Sequence, residues 1–332
     1  MLRKPNILVV GSFMMDLIAS TNRAPAAGET VIGTAFHTAP GGKGANQAVQ
    51  CARLGARVTM VGQVGHDSFG AAMTQTAAAA GVDVSHVTVD ETVSSGVGHI
   101  LLEVSESGVQ NRITVIPGAN HTLTVDQLSW LPDVIAQYDM LLLQFELPMD
   151  LTQTVAGWAW DAGVPIMLNP APAAPIPSAL LSRATYLSPN EHEAAIITGH
   201  PIRIQNGAVC EEDVAAVASA FRARGAENLI ITLGEHGSVA AGREGVFCTP
   251  CVSMPQVADP TAAGDSFVAA FCTGLCAGLA KGNALAFASH TAAITVSRMG
   301  AMPSLPTLEQ VQRLMLERNF SDFNPHTLNA LK

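Results

Sequence analysis

Short, unbroken apolar runs alternate along this chain with longer Ala-rich stretches of helical period. The runs are Ile7–Val10, Val58–Val61, Met140–Leu143, Pro165–Leu168, Leu229–Ile231 and, more weakly, Ala184–Leu187. A strand that is apolar at every position has both faces buried. Runs of this kind separated by helices therefore predict an α/β fold, doubly wound, with a mostly parallel central sheet covered by helices on both faces. Helix starts carry their own signals: Thr124–Gln127 and Thr307–Gln310 both fit a capping box. Two regions, about 13–41 and 94–116, read differently. Within them VGHILLEV (Val97–Val104) and NRITVI (Asn111–Ile116) suggest antiparallel strands outside the main sheet. A small β-sheet lid over the strand ends is their simplest placement, and a lid excludes water from an activated phosphate. With no internal repeat and no low-complexity linker, residues 1–332 are expected to form one main domain.

Where the strands end is more informative than where they run. The first ends at Gly11-Ser12 with Asp16 just beyond, and the others at Gln144-Phe145-Glu146, Asn169-Pro170-Ala171-Pro172, Ser188-Pro189-Asn190-Glu191 and Thr232-Leu233-Gly234. Ligands of open α/β sheets bind beyond the carboxyl ends of the strands, so polar groups collect on the edge where a site is expected.

Composition narrows the class of ligand. The chain is 48% hydrophobic, 5% aromatic and 13% charged, with a net charge of −10. That balance argues against nucleic acid or an anionic membrane as main partner, and leaves room for a phosphorylated small molecule held by local donors. No apolar run approaches the ~20 residues of a membrane span, and the N-terminus lacks the pattern of a secretory leader. Six cysteines, several inside apolar segments, fit a reduced cytoplasm. The pair Cys248 and Cys251 has metal-like spacing without a second pair and reads as strand residues around a turn.

Two stretches are candidates for the chemistry, although each taken alone also reads as a structural turn into a helix. In DPTAAGDSF (Asp259–Phe267), small residues lead straight into an apolar helix, leaving N–H donors uncovered at its N-terminus. Asp265 lies in that first turn, and an anion cradle with a base beside it is what phosphoryl transfer needs. GGKGANQA (Gly41–Ala48) has neither the P-loop nor the GxGxxG spacing. Its glycines let backbone approach a small ligand while Lys43 and Asn46 offer donors.

Together GGKGANQA, NPAPA, SPNE, TLGEHG and DPTAAGDSF, in this order, resemble the ribokinase (PfkB-type) family of carbohydrate kinases from about Asn6 to about Leu316. The resemblance implies an ATP-dependent pentose kinase acting at the C5 hydroxyl of ribose, with 2-deoxyribose as the alternative. A nucleoside kinase or a non-catalytic sugar-binding regulator of the same fold stands further off. It assigns Asp265 as general base and the N–H groups of Ala262, Ala263 and Gly264 as anion hole. The sugar falls to Asp16, Gly42, Lys43, Asn46 and Glu146, with Met14 in the pocket wall. Asn190 and Glu193 match the NxxE motif that organises Mg²⁺ and phosphate; Thr232, Gly234 and Gly237 lie along the nucleotide. His290, in a predicted helix Ala284–Arg298, either approaches the adenine or packs in the core. A K⁺ site would draw on Asp259, Thr261, Thr295, Arg298, Gly300 and Ser304, partly through backbone carbonyls. A homodimer through the β-lid is also implied.

Two positions depart from the family pattern. Its Gly-Ser-x-Asn-x-Asp stands here as Gly11-Ser12-Phe13-Met14-Met15-Asp16, so a thioether replaces a sugar-binding amide. Pro260 occupies a position where Thr is common and removes one N–H beside the cation site. The tail from Asn319 to Lys332 shows weak periodicity and is expected to be peripheral.

Overall fold

In the computed structural model, which describes residues 2–105, 108–205, 207–242 and 245–332, the apolar runs become the middle of a nine-stranded sheet. In chain order the elements are β1 (Asn6–Val10), β2 (Met14–Thr21), β3 (Ala35–Gly41), α1 (Lys43–Arg53), β4 (Arg57–Gly65), α2 (Ser68–Ala79), β5 (Val82–Asp90), β6 (Gly96–Ser105) and β7 (Gly108–Ile116). They continue as β8 (Met140–Leu143), α3 (Met149–Asp161), β9 (Ile166–Leu168), α4 (Ser178–Arg183), β10 (Tyr186–Leu187), α5 (Glu191–Thr198), the hairpin β11 (Ile204–Gln205) and β12 (Ala208–Val209), and α6 (Glu211–Ala223). The last are β13 (Leu229–Thr232), β14 (Ser238–Gly242), β15 (Gly245–Thr249), α7 (Ala263–Ala277), α8 (Lys281–Val296) and α9 (Leu308–Glu317). The large sheet runs β15-β14-β13-β10-β9-β8-β1-β4-β5, parallel from β13 to β5, with β14 and β15 antiparallel at one edge.

The period of two along the strands sorts side chains into two cores. Ile7, Val9, Met140, Leu142, Met167 and Ile230 pack on one face of the sheet with α1, α2, α7, α8 and α9. Leu8, Val10, Leu141, Leu143, Ile166, Leu168, Leu229 and Ile231 pack on the other with α3, α4, α5 and α6. This is why the runs in β1, β8, β9 and β13 are apolar at consecutive positions rather than alternate ones.

A separate four-stranded sheet, in the order β3-β2-β6-β7, comes from within the two regions expected to supply it. It is mixed rather than wholly antiparallel, because β2 pairs β6 in parallel. Strand β5 was not foreseen: at the edge of the sheet it carries polar residues on alternate positions and has no continuous apolar run. Thr307 caps α9 with Gln310 as predicted, but Thr124 opens only a 3₁₀ turn, Val125–Leu128.

The C-terminal tail is not peripheral. Its last turn, Pro325–Leu331, is 3₁₀, with three residues per turn, so Pro325, Leu328 and Leu331 share one face, and that face is buried in the core. A search for a 3.6-residue period passes over such a segment. The Gln312 side chain donates to the Pro325 carbonyl at 2.9 Å and secures the segment to α9.

Candidate active site

At the carboxyl ends of the parallel strands lies a cleft of ≈ 190 Å³ lined by Lys43, Asn190, Glu193, Thr232 and the 262–265 turn. That turn opens α7. Its N-cap, Ala262, sits at φ 60°, ψ 7°, in the left-handed region that a non-glycine residue seldom occupies. The N–H groups of Ala262, Gly264 and Asp265 have no acceptor among the described residues, whereas Ala263 N–H donates to the Pro260 carbonyl at 3.2 Å. The uncommitted donors are therefore 262, 264 and 265 rather than the run 262–264. From behind, Ser266 Oγ donates to the Ala263 carbonyl at 3.0 Å and accepts from Thr295 Oγ1 of α8 at 3.0 Å.

Asp265 is only 7% exposed. Its Oδ2 accepts from Asn46 Nδ2 at 2.9 Å and its Oδ1 from Gln47 Nε2 at 3.1 Å. Both amides come from the first turn of α1, so the GGKGANQA turn and the AAGD turn are directly coupled. Asn46 Oδ1 is buried without a partner, an acceptor left over for a ligand hydroxyl. Close approach explains two of the glycines. A Cβ on Gly42, at φ 96°, would lie 2.6 Å from Met14 N, and one on Gly44 would lie 2.5 Å from Ser12 N. The α1 turn is thereby laid against the end of β1. Glu146 completes it, accepting with Oε2 from Ser12 Oγ at 2.5 Å and from Lys43 N–H at 2.9 Å. Glu146 thus caps α1, with Oε1 uncommitted among the described residues.

Asp16 projects from β2 with no protein donor on its carboxylate among the described residues. Burial, then the charges of Glu146, Asp259 and Asp265, push its pKa up to about 7. Hydroxyls of a polyol would supply the missing donors. Burial opposes the charge on Lys43, but Asp265, Glu146 and Glu193 outweigh it and hold the ammonium above its usual range. Met14 lies two residues before Asp16 on the same sheet face and is 5% exposed. Its sulfur is 3.8 Å from Asn120 Nδ2. Asn120 itself accepts from Phe13 N–H at 2.9 Å and donates to the Phe13 carbonyl at 2.7 Å, fixing the β2 entry.

Sequence reasoning missed Gly96 and Gly98. A Cβ on Gly96 would meet Met14 Sδ at 2.7 Å and one on Gly98 would meet Asp16 Oδ1 at 2.6 Å, so both clear space for pocket side chains. The available signal was two glycines inside an alternating strand. Asn120, Gln47 and Asn169 were also given no role.

On the other side of the cleft, the NxxE motif is the capping box of α5. Glu193 N–H donates to Asn190 Oδ1 at 2.7 Å, and Asn190 N–H to Glu193 Oε2 at 2.8 Å. Burial raises the Glu193 pKa. Gly237, at φ 85°, is crowded by the Thr249 carbonyl, whereas Gly234, at φ 55°, faces open space. Asp259 binds the N–H groups of Thr261 and Gly300, each at 2.9 Å, joining the α7 entry to the turn after α8. The Thr295 carbonyl accepts from Arg298 N–H at 3.1 Å, and the Ser304 hydroxyl donates to the Ala301 carbonyl at 2.7 Å. Arg298 extends to Gln310 Oε1 at 3.0 Å. His290 is not among the residues lining the cleft. It is buried, with Nδ1 2.8 Å from the Ala286 carbonyl and its ring edge-on to Phe320 of the tail.

Comparison with known proteins gives the family. The chain is 39% identical to a ribokinase of Bacillus subtilis over 311 residues, 93% of this chain and 99% of that one. It is 31% identical to a deoxyribokinase of Salmonella typhi, over 92% of this chain and 97% of that one. A ribokinase of Arabidopsis thaliana solved with ribose and ATP superposes with a TM-score of 0.84 at 30% identity, covering 94% and 99% of the two chains. The profile of the pfkB family carbohydrate kinases matches residues 4–308. This chain belongs to the pfkB family of carbohydrate kinases.

Proposed function

We propose that this protein transfers the γ-phosphoryl group of ATP to the C5 hydroxyl of D-ribose. The observation that carries the reading is the placement of Asp265. It is buried, both its oxygens are held by α1 amides, and its own N–H and those of Ala262 and Gly264 are uncommitted. Likeness to ribokinases, one of them solved with ribose and ATP, supports the choice of sugar and donor.

In this reading Asp16 and the buried Asn46 Oδ1 accept hydroxyl protons of the sugar, and Lys43 donates. Gly42 allows the backbone close approach, and Glu146 contributes its uncommitted oxygen. Asp265 accepts the proton of the primary hydroxyl as the new O–P bond forms and the bond to the β-phosphate oxygen breaks. Little deprotonation is needed early in a loose transition state, so a carboxylate is a sufficient base. The free N–H groups of the α7 turn receive the charge of the transferring phosphoryl group, with Ala263 able to join by releasing its long bond to Pro260. Thr232, Gly234 and Gly237 border the nucleotide.

Mg²⁺ bound with ATP would neutralise charge on the phosphates. Among the described residues no three His, Cys, Asp or Glu side chains gather as a metal cage. Mg²⁺ needs only one or two carboxylates beside phosphate and water, so Glu193, with Asn190 orienting it, fits. For K⁺, Asp259 is already occupied by two N–H groups. Its part would be to shape a ring of carbonyl oxygens drawn from Thr261, Thr295, Arg298, Gly300 and Ser304. The small sheet would act as lid, and the exposed Ile113 and Val115 on β7 support a homodimer through it. No helix among the described residues is long and apolar enough to cross a membrane, and none of the six cysteines is in a disulfide; a cytoplasmic location suits both.

Met14 favours a second reading, 2-deoxyribose. A buried thioether on the Asp16 face donates no hydrogen bond to a hydroxyl and tolerates its absence. The test is phosphate transfer from ATP across ribose, 2-deoxyribose, fructose and adenosine, with and without K⁺. A pentose should be preferred and K⁺ should activate; preference for adenosine would replace the reading with a nucleoside kinase. In Met14→Asn the ratio of kcat/KM for ribose over 2-deoxyribose should rise about 10-fold or more. An unchanged ratio would make Met14 a core residue only.

A further inference from the structure

Behind Asp265 lies a chain of buried amides that the reaction as described does not use. Asn169 Nδ2 donates to the Ser188 carbonyl at 2.7 Å. A carbonyl only accepts, so the opposite atom, Oδ1, must face Gln47. There Gln47 Nε2 donates to Asn169 Oδ1 and to Asp265 Oδ1, both at 3.1 Å. Gln47 Oε1 in turn accepts from Gln144 Nε2 at 2.7 Å. Gln47 is fully buried, and Gln144 and Asn169 nearly so. Each link determines the polarity of the next. Flipping the Gln47 amide would set its oxygen against two acceptors and its NH₂ against a donor.

We infer that Gln47, oriented by Asn169 and Gln144, is a positioning residue that fixes the rotation of the Asp265 carboxylate for proton acceptance. Asn46 alone would leave that carboxylate free to swing about its single remaining bond. Gln47, itself fully buried, holds the second carboxylate oxygen from the side away from the cleft. Three elements converge here: Gln144 follows the end of β8, Asn169 follows the end of β9, and α1 supplies Gln47. The inference rests on Asp265 being the base of the proposed kinase.

The test measures steady-state kinetics and sugar binding by calorimetry in Gln47→Met and Gln144→Met. Gln47→Met preserves length and removes the donor, so kcat should fall about 30-fold or more, with KM for both substrates and the sugar Kd within about threefold. Gln144→Met leaves the donor in place and only loosens its orientation, so its loss should be smaller, about three- to tenfold. Retained sugar binding certifies a folded pocket in each case. Wild-type kcat in Gln47→Met, or a larger loss in Gln144→Met than in Gln47→Met, would overturn the inference while leaving the kinase reading intact. Absence of sugar phosphorylation by the wild type, or undiminished turnover in Asp265→Asn, would instead remove the reading on which it rests.

Discussion

Replacing Asp265 with Asn is expected to lower kcat by about 10³-fold while leaving sugar affinity within about threefold. The side chain keeps its shape but can no longer accept a proton from the sugar hydroxyl. The amide also meets two donors, Asn46 Nδ2 and Gln47 Nε2, where the carboxylate accepted both. One of them must face an NH₂ group, which should reduce stability by about 1–2 kcal/mol. Calorimetric titration with sugar separates this modest structural cost from the catalytic one. Turnover retained at more than a tenth of wild type would take the base role away from Asp265.

The second large effect concerns Asp16, where function and stability oppose each other. In the folded protein its carboxyl holds a proton up to about pH 7, against 3.8 as its ordinary value. Between those limits the native state binds more protons than the unfolded chain, so stability falls as pH rises through the window. Above pH 7 the full penalty of a partly buried, donor-poor carboxylate is present. Asp16→Asn removes it, and should stabilise the sugar-free protein by about 2–4 kcal/mol at pH 8, the gain shrinking to about 1 kcal/mol at pH 4.5. The same change should weaken sugar binding about 10³-fold, because two charge-assisted hydrogen bonds become poor ones. Urea unfolding at both pH values, with sugar titrations alongside, measures both effects. Equal stability of the variant and wild type at pH 8 would mean that the Asp16 carboxylate is solvated adequately without sugar.

How legible this was differs by element. The runs Ile7–Val10, Met140–Leu143, Ile166–Leu168 and Leu229–Ile231 in β1, β8, β9 and β13 are apolar throughout because helices cover both faces, and the sequence reports that directly. Strand β5, covered less completely at the edge, carries its information in an alternation that resembles many loops. The tail failed for a different reason, since a 3₁₀ turn repeats every three residues and leaves no helical period. At the site, Asp265 and its turn were readable only in company: a small-residue run entering a helix is as often a plain cap, and the polar strand ends and GGKGANQA in the same chain made it a site. The family resemblance supplied most other assignments, and spacing alone would not have separated Glu146 as helix cap from Glu146 as ligand. Gln47 stayed silent because a Gln in the first turn of a helix is ordinary. Only the convergence of β8, β9, α1 and α7 brings three amides and one carboxylate into one chain. The same holds for Gly96 and Gly98, whose purpose appears once Met14 and Asp16 are seen to occupy the space they leave.

In the proposed reaction one hydroxyl of a pentose receives the phosphoryl group with Asp265 beside it. Nuclear magnetic resonance of the product formed from ATP and ¹³C-labelled ribose tests it most directly. The phosphorus should couple to C5, and the signal should build up about 10³-fold more slowly in Asp265→Asn. Coupling to C1, or ATP hydrolysis with no sugar phosphate formed, would contradict the account.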